Sequence, residues 1–261
     1  MGVVNVTPDS FSDGGRLASA QEAIDHALKL QEEGADILDV GGESTRPGST
    51  PVPVGEEIRR VLPVIEVLAS QGCVVSVDTK KTEVMRAALD AGAAMVNDVM
   101  ALQAPGALEA VAATGAAVCL MHMRGDPQTM QQAPAYGDVV EDVKGYLQGR
   151  LAACAAAGIG RERMVIDPGF GFGKTLEHNL ALLRHLGRLG ELGVPVLAGL
   201  SRKSMLGMLT GRPVDQREYA GVAAHLAAVT RGARLVRVHN VAAMRDALAV
   251  WNAVEEQQDG T

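Results

Sequence analysis

Eight short apolar runs in this chain end on, or close to, a side chain able to bind or react. The set is Asn5, Asp39, Asp78, Asn97 with Asp98, His122, Asp167, Ser201 running into Arg202 and Lys203, and Arg237 with His239. Such groups inside apolar runs are costly to bury without partners, and eight of them at corresponding positions point to a shared polar mouth. The set divides by chemistry. Asp78, Asn97, Asp167 and Lys203 combine two carboxylates, an amide and an ammonium, which suits a nitrogen heterocycle. A carboxylate accepts two parallel hydrogen bonds from an amidine-like edge. Asn5, Arg237 and His239, with Thr45 and Arg46 nearby in sequence, suit the oxygens of an anion, because a guanidinium fork matches phosphate. A heterocycle carrying a phosphate or diphosphate would satisfy both halves.

The elements that must position these residues are legible in the hydropathy pattern. The runs are 1–6, 35–41, 73–78, 94–99, 116–122, 163–168, 195–201 and 234–239, and none alternates polar with apolar. That is how strands covered on both faces read. Between them lie helical patterns: Val84, Met85, Ala88 and Leu89 share one face, as do Val140, Val143, Leu147 and Leu151, and Leu182, Leu183, Leu186 and Leu189. Gly34, Gly72, Gly92, Gly115 and Gly232 fall where helices should end. Eight strands each followed by a helix, in 261 residues, predict a single-domain (β/α)8 TIM barrel, a fold of ~250 residues with its active site at the C-terminal ends of the strands. A doubly wound sheet has fewer strands and a Gly-rich loop near its start, and no GxGxxG stands there. A polar tail is expected over 254–261.

Three loops carry further signal. Segments 7–15 (TPDSFSDGG) and 41–49 (GGESTRPGS) are long and rich in Gly, Ser, Pro and Asp, the composition of mobile lids. Segment 167–175 (DPGFGFGKT) sets two phenylalanines among glycines, apt for a flat ring; its Lys174 reads as a helix-start residue.

Composition excludes other classes. A net charge of −7 argues against nucleic acid or an anionic membrane as partner, since both need a basic face. No apolar run approaches the ~20 residues of a membrane span. The three cysteines lie in apolar segments without CxxC spacing, which predicts reduced core residues in a cytoplasmic protein.

The segments NVTPDSFSDGG (5–15), DVGGESTRPG (39–48), SVDT (76–79), NDV (97–99), CLMHM (119–123), DPGFGFGK (167–174), LSRKSMLG (200–207) and RVH (237–239) resemble, in order and from end to end, the signatures of the dihydropteroate synthases. The resemblance implies condensation of 4-aminobenzoate with 6-hydroxymethyl-7,8-dihydropterin diphosphate to 7,8-dihydropteroate and diphosphate, a folate-biosynthesis step blocked by sulfonamides. It implies pterin contacts at Asp78, Asn97, Val99, Met121, Asp167, Phe172, Lys203 and Arg237. Diphosphate contacts are implied at Asn5, Thr45, Arg46, Arg237 and His239, with Mg2+ held by Asn5. Phe11, Thr45, Arg46, Pro47, Phe172 and Ser201 would line the aminobenzoate slot. Asp78, Lys203, Arg237 and His239 would carry the chemistry.

The chain departs from the family pattern at Asn240, where Asp is usual and where either residue caps a helix, at Lys80-Lys81 and at Met100. Two alternatives stand beside the synthase: a corrinoid-linked pterin-binding methyltransferase, which needs no STRPG loop, and a catalytically silent pterin-binding paralogue. The family precedent also implies a homodimer, through the Ala-rich stretch 220–233 and the last helix.

Overall fold

A computed structural model describes residues 1–6, 15–44, 49–125, 130 and 134–255, with only the backbone of 15–19. Parallel strands β1 (Gly2–Asn5), β2 (Leu38–Gly41), β3 (Val75–Asp78), β4 (Met95–Asp98), β5 (Ala117–Met121), β6 (Met164–Asp167), β7 (Val196–Ala198) and β8 (Ala233–Val236) pair in chain order. A parallel bridge between Gly2 and Val238 joins the last strand region to the first. There the Val3 N–H donates to the Val238 carbonyl at 3.0 Å and the Val238 N–H to that of Met1 at 2.9 Å. The expected (β/α)8 barrel is therefore the fold.

Helices cover the outside: α1 (Gly15–Glu32), α2 (Val54–Ser70), α3 (Thr82–Asp90), α4 (Ala107–Ala112), α5 (Val139–Ala156), α6 (Leu176–Arg184), α7 (Gly187–Gly190), α8 (Ser204–Thr210), α9 (Glu218–Val229) and α10 (Val241–Glu255). Alternation along each strand sends successive side chains to opposite faces. Val4, Leu38, Val40, Val75, Val77, Val96, Val118, Leu120 and Ile166 join the large core shared with the helices. Met1, Met95, Cys119, Val165 and Leu197 form a separate small cluster that fills the barrel. Two residues further along the same faces stand Asn97, Met121 and Asp167, so the interior turns polar toward the C-terminal mouth. Register sets Asn5 beside Gly41, Gly41 beside Asp78 and Asp78 beside Asn97.

Several local expectations change. Gly34, Gly72, Gly92 and Gly232 have the left-handed backbone of helix ends, but Gly115 does not, because α4 stops at Ala112 and Thr114 closes the turn onto the Ala116 N–H. The single helix expected over Leu182–Leu189 is broken into α6 and α7 at His185 and Leu186, where Gly187 and Gly190 weaken helix propagation. The last helix takes in Val254 and Glu255 of the expected tail, and 256–261 lie outside the described residues. The Asn240 side chain accepts from the Ala243 N–H at 3.0 Å, which caps α10 as expected.

Candidate active site

At the centre of the mouth one cation is shared by two carboxylates. Arg237, just past β8, donates from Nε to Asp39 Oδ2 at 2.5 Å and from a terminal nitrogen to Asp78 Oδ2 at 2.8 Å. Asn97 Nδ2 donates to the same Asp39 oxygen at 3.0 Å. Asp39 is fully buried, and its Oδ1 has no hydrogen-bond partner among the described residues. Its register neighbour Ser76 likewise has an unpartnered buried Oγ. Burial pushes the Asp78 carboxyl up to about 7 against the pull of Arg237, and the charges of Asp39, Glu57 and Asp98 add to the rise. The carboxylates outweigh Arg237, although burial alone would disfavour its charge, so its pKa is held above its ordinary value.

Sequence reasoning noticed Asp39 but gave it no task. The signal that finds it is face alternation: Asp39 and Gly41 share a face, as do Ser76 and Asp78. Arg237, expected on both the pterin and the diphosphate sides, is bound to Asp78, so the two halves of the mouth meet at this side chain. Removing Arg237 would leave the buried Asp39 and the half-buried Asp78 without a counter-charge.

A second group stands on β6 and β7. Asp167 is buried and its Oδ1 accepts from the Gly169 N–H at 2.7 Å. Burial raises its pKa, against the Gly169 N–H and the charges of Lys203, Lys174 and Arg237. Lys203 Nζ lies 4.1 Å from the centroid of the Phe172 ring, a cation–π arrangement. Ser201 and His239 meet across β7 and β8, with Oγ 2.9 Å from Nδ1. Val99 and Met121 are buried at the ends of their strands, and Asn5 is half-buried at the end of β1.

Two other polar residues of the strand ends serve the scaffold. Asp98 accepts from the N–H groups of Met100 and Leu102 at 2.8 and 2.7 Å, fixing the turn after β4. Burial drives its carboxyl up to about 6 despite those bonds. His122 packs against Lys174, 2.9 Å from Nδ1 to Nζ. Lys174 is only 3% exposed, so it is an interior anchor. The helix-start role belongs to Thr175, whose side chain caps α6.

Beside the mouth, the lysines of uncertain effect acquire a task. Lys81 Nζ donates to Glu43 Oε2 at 2.5 Å, to the Val52 carbonyl at 2.6 Å and to Glu57. Lys80 pairs with Glu43 Oε1 at 2.9 Å, the Val52 N–H donates to Glu43, and the Thr79 hydroxyl donates to the buried Glu57. Phe11, Thr45, Arg46 and Pro47 lie outside the described residues.

No group of three or more His, Cys, Asp or Glu that would cage a metal occurs among the described residues. Mg2+ typically takes one or two protein oxygens and completes its shell with water and substrate phosphate. A single amide oxygen at Asn5 fits that pattern.

Comparison with known proteins gives a consistent result. The profile described as pterin binding enzyme matches residues 1–239. The dihydropteroate synthase of Haemophilus influenzae is 49% identical over 254 residues, covering 97% of this chain and 92% of that one. The solved structure of Xanthomonas albilineans dihydropteroate synthase with 4-aminobenzoic acid is 60% identical, with a TM-score of 0.93 and coverage of 98% and 92%. The same enzyme with 7,8-dihydropteroate is 57% identical over the same coverage, with a TM-score of 0.89.

Proposed function

We infer the working of this mouth from the premise that the chain belongs to the pterin-binding enzyme family, among its dihydropteroate synthases. That membership selects the synthase from the three readings the sequence left open. The reaction joins 4-aminobenzoate to 6-hydroxymethyl-7,8-dihydropterin diphosphate and releases diphosphate. The observation that carries the mechanism is the guanidinium of Arg237 lying between Asp39 and Asp78, beside Asn97.

In our reading, Asp78, Asn97, Asp167 and Lys203 hold the N–H and carbonyl edge of the pterin, while Val99, Met121 and Phe172 pack on it. Arg237 covers the ring face and, with His239 and the Thr45–Arg46 segment, neutralises the diphosphate. The bond from the pterin methylene to the diphosphate oxygen breaks first, and its electron pair leaves with the diphosphate. Ring nitrogens donate electrons into the resulting methylene cation, and the Asp78 carboxylate stabilises that charge. The aniline nitrogen then attacks the methylene carbon, and its extra proton passes to water. No side chain is needed as a general base. Asn5 would hold a Mg2+ ion that, when bound, offsets charge on the departing diphosphate. Phe11, Pro47, Ser201 and Phe172 form the seat of the aminobenzoate, where sulfonamides would compete.

The enzyme is expected to act in the cytoplasm, where its free buried Cys73, Cys119 and Cys154 stay reduced, and as a homodimer. Exposed apolar side chains that would serve self-association stand on the last helix, at Val250 and Val254, and on and around α8 and the start of α9, at Met208, Leu209, Val214 and Tyr219. In the adjoining stretch 220–229, Gly221, His225 and Ala228 are buried and most of the others are half-buried. Diphosphate release is the decisive test of function. It should require both substrates for sustained turnover and Mg2+ for full rate; a folded, Mg2+-supplied protein that releases none sinks the reading.

A further inference from the structure

The turn after β6 is closed by its own bond from the Phe172 N–H to the Gly169 carbonyl at 3.1 Å and is gripped further from inside the protein. Gly169 and Gly173 have φ of +67° and +64°, and a side chain at either would collide with a backbone carbonyl, of His122 and of Arg124 respectively. Between them, Phe170 is buried in the core and Phe172 is half-buried at the mouth. The group that gathers this turn is the ammonium of Lys174. Its Nζ donates to the carbonyls of Gly169 and Phe172, both at 2.9 Å, and lies 2.9 Å from His122 Nδ1. Among the described residues it has no carboxylate within ion-pair distance. Burial pushes its pKa down to about 7, and pushes that of His122 down to about 3. Burying an ammonium with no direct ion pair, only the more distant charge of Asp167, is an expensive way to close a turn, so its benefit has to lie in what the turn orients.

Both anchored carbonyls belong to residues that touch the site. Gly169 accepts from Lys174 with its oxygen and donates its N–H to Asp167. Phe172 accepts from Lys174 with its oxygen and offers its ring to Lys203. We propose that Lys174 is a positioning residue for the pterin edge, its ammonium holding the turn that orients Asp167 and Lys203 toward the substrate. This inference rests on the assignment of Asp167 and Lys203 to that edge.

The test measures the Kd for the pterin diphosphate by calorimetry, its KM, kcat and the melting temperature, on the full chain. Lys174→Met should weaken pterin binding by about tenfold or more, as expected when binding groups shift by a fraction of an ångström. The pterin KM should rise more than kcat falls. Lys174→Gln, which keeps an amide donor, should recover part of the loss. In a Lys203→Ala background Lys174→Met should cost less, since part of what it positions is already gone. An unchanged pterin Kd in folded Lys174→Met, or losses that simply multiply in the double variant, would overturn the proposal. If Lys174→Met does not fold, Lys174→Gln and His122→Leu carry the same comparison, and an unchanged Kd in both overturns it. A wild-type protein that binds no pterin condemns the functional reading itself, and that outcome is distinct from wild-type binding that the Lys174 variants leave untouched.

Discussion

Two ionic clusters stand side by side around the C-terminal ends of β2 and β3, and they are wired in opposite ways. The inner one sets Asp39 and Asp78 against a single Arg237, leaves Asp39 Oδ1 without a partner and drives the Asp78 carboxyl up to about 7. The outer one, a few residues further along, sets Glu43 and Glu57 against Lys80 and Lys81, with Thr79 and the Val52 backbone completing the bonds. There burial is outweighed: hydrogen bonds from Lys81 and Lys80 hold Glu43 below its ordinary value, and bonds from Glu43 and Glu57 hold Lys81 above its own. A balanced cluster is finished once the chain folds. An unbalanced one is strained until something else arrives, which is the signature of a site that binds or reacts.

The sharpest way to break that contrast is Arg237→Ala. It should lower the rate about 10^3-fold or more, as removal of a charge-stabilising donor does, and also cost about 3 kcal/mol of stability by stranding two carboxylates. Denaturant titration alongside the diphosphate assay reads both, and a stability equal to wild type would mean the Arg237 pairs are not what neutralises this centre. Lys81→Met, in the balanced cluster, should cost a similar ~3 kcal/mol yet leave pterin binding by the folded protein unchanged. A large rise in pterin Kd there would erase the distinction between the two clusters.

Asp78→Asn should act in the reverse sense on stability. An acid whose folded pKa of about 7 exceeds its ordinary 3.8 contributes stability that is present below about pH 4 and lost as pH rises through 7. The permanently neutral variant should therefore exceed wild type by about 1–2 kcal/mol at pH 8, lose that advantage near pH 4, and be almost inactive. Thermal melts across that range check it, and a variant less stable than wild type at pH 8 contradicts the strain.

The barrel was legible because strands buried on both faces must read as unbroken apolar runs, and eight of them left little choice of fold. Most of the polar residues of the mouth were legible because polar side chains do not otherwise end such runs. What hid was partnership. Asp98 and Asn97 are neighbours in sequence, yet alternation sends Asn97 into the mouth and Asp98 to a turn on the outer face. Lys174 reads like any helix-start lysine, because its acceptors are the backbone carbonyls of a glycine-rich turn, which have no sequence signature. Asp39 passed without a task for a related reason: its partner Arg237 is 198 residues away.

That separation bears on the order in which the chain acquires its structure. Neighbouring strands of the barrel pair locally, but the contact between Val3 and Val238 and the bonds from Arg237 to Asp39 and Asp78 span most of the sequence. Long-range closures of this kind form late, since their loop entropy must be met before they contribute. The last strand thus brings the cation that quiets two waiting carboxylates, and ring closure becomes the step at which foldedness and competence are acquired together. Pulse-labelled hydrogen exchange during refolding should find the amides of Val3 and Val238 protected no earlier than those of β3 to β5.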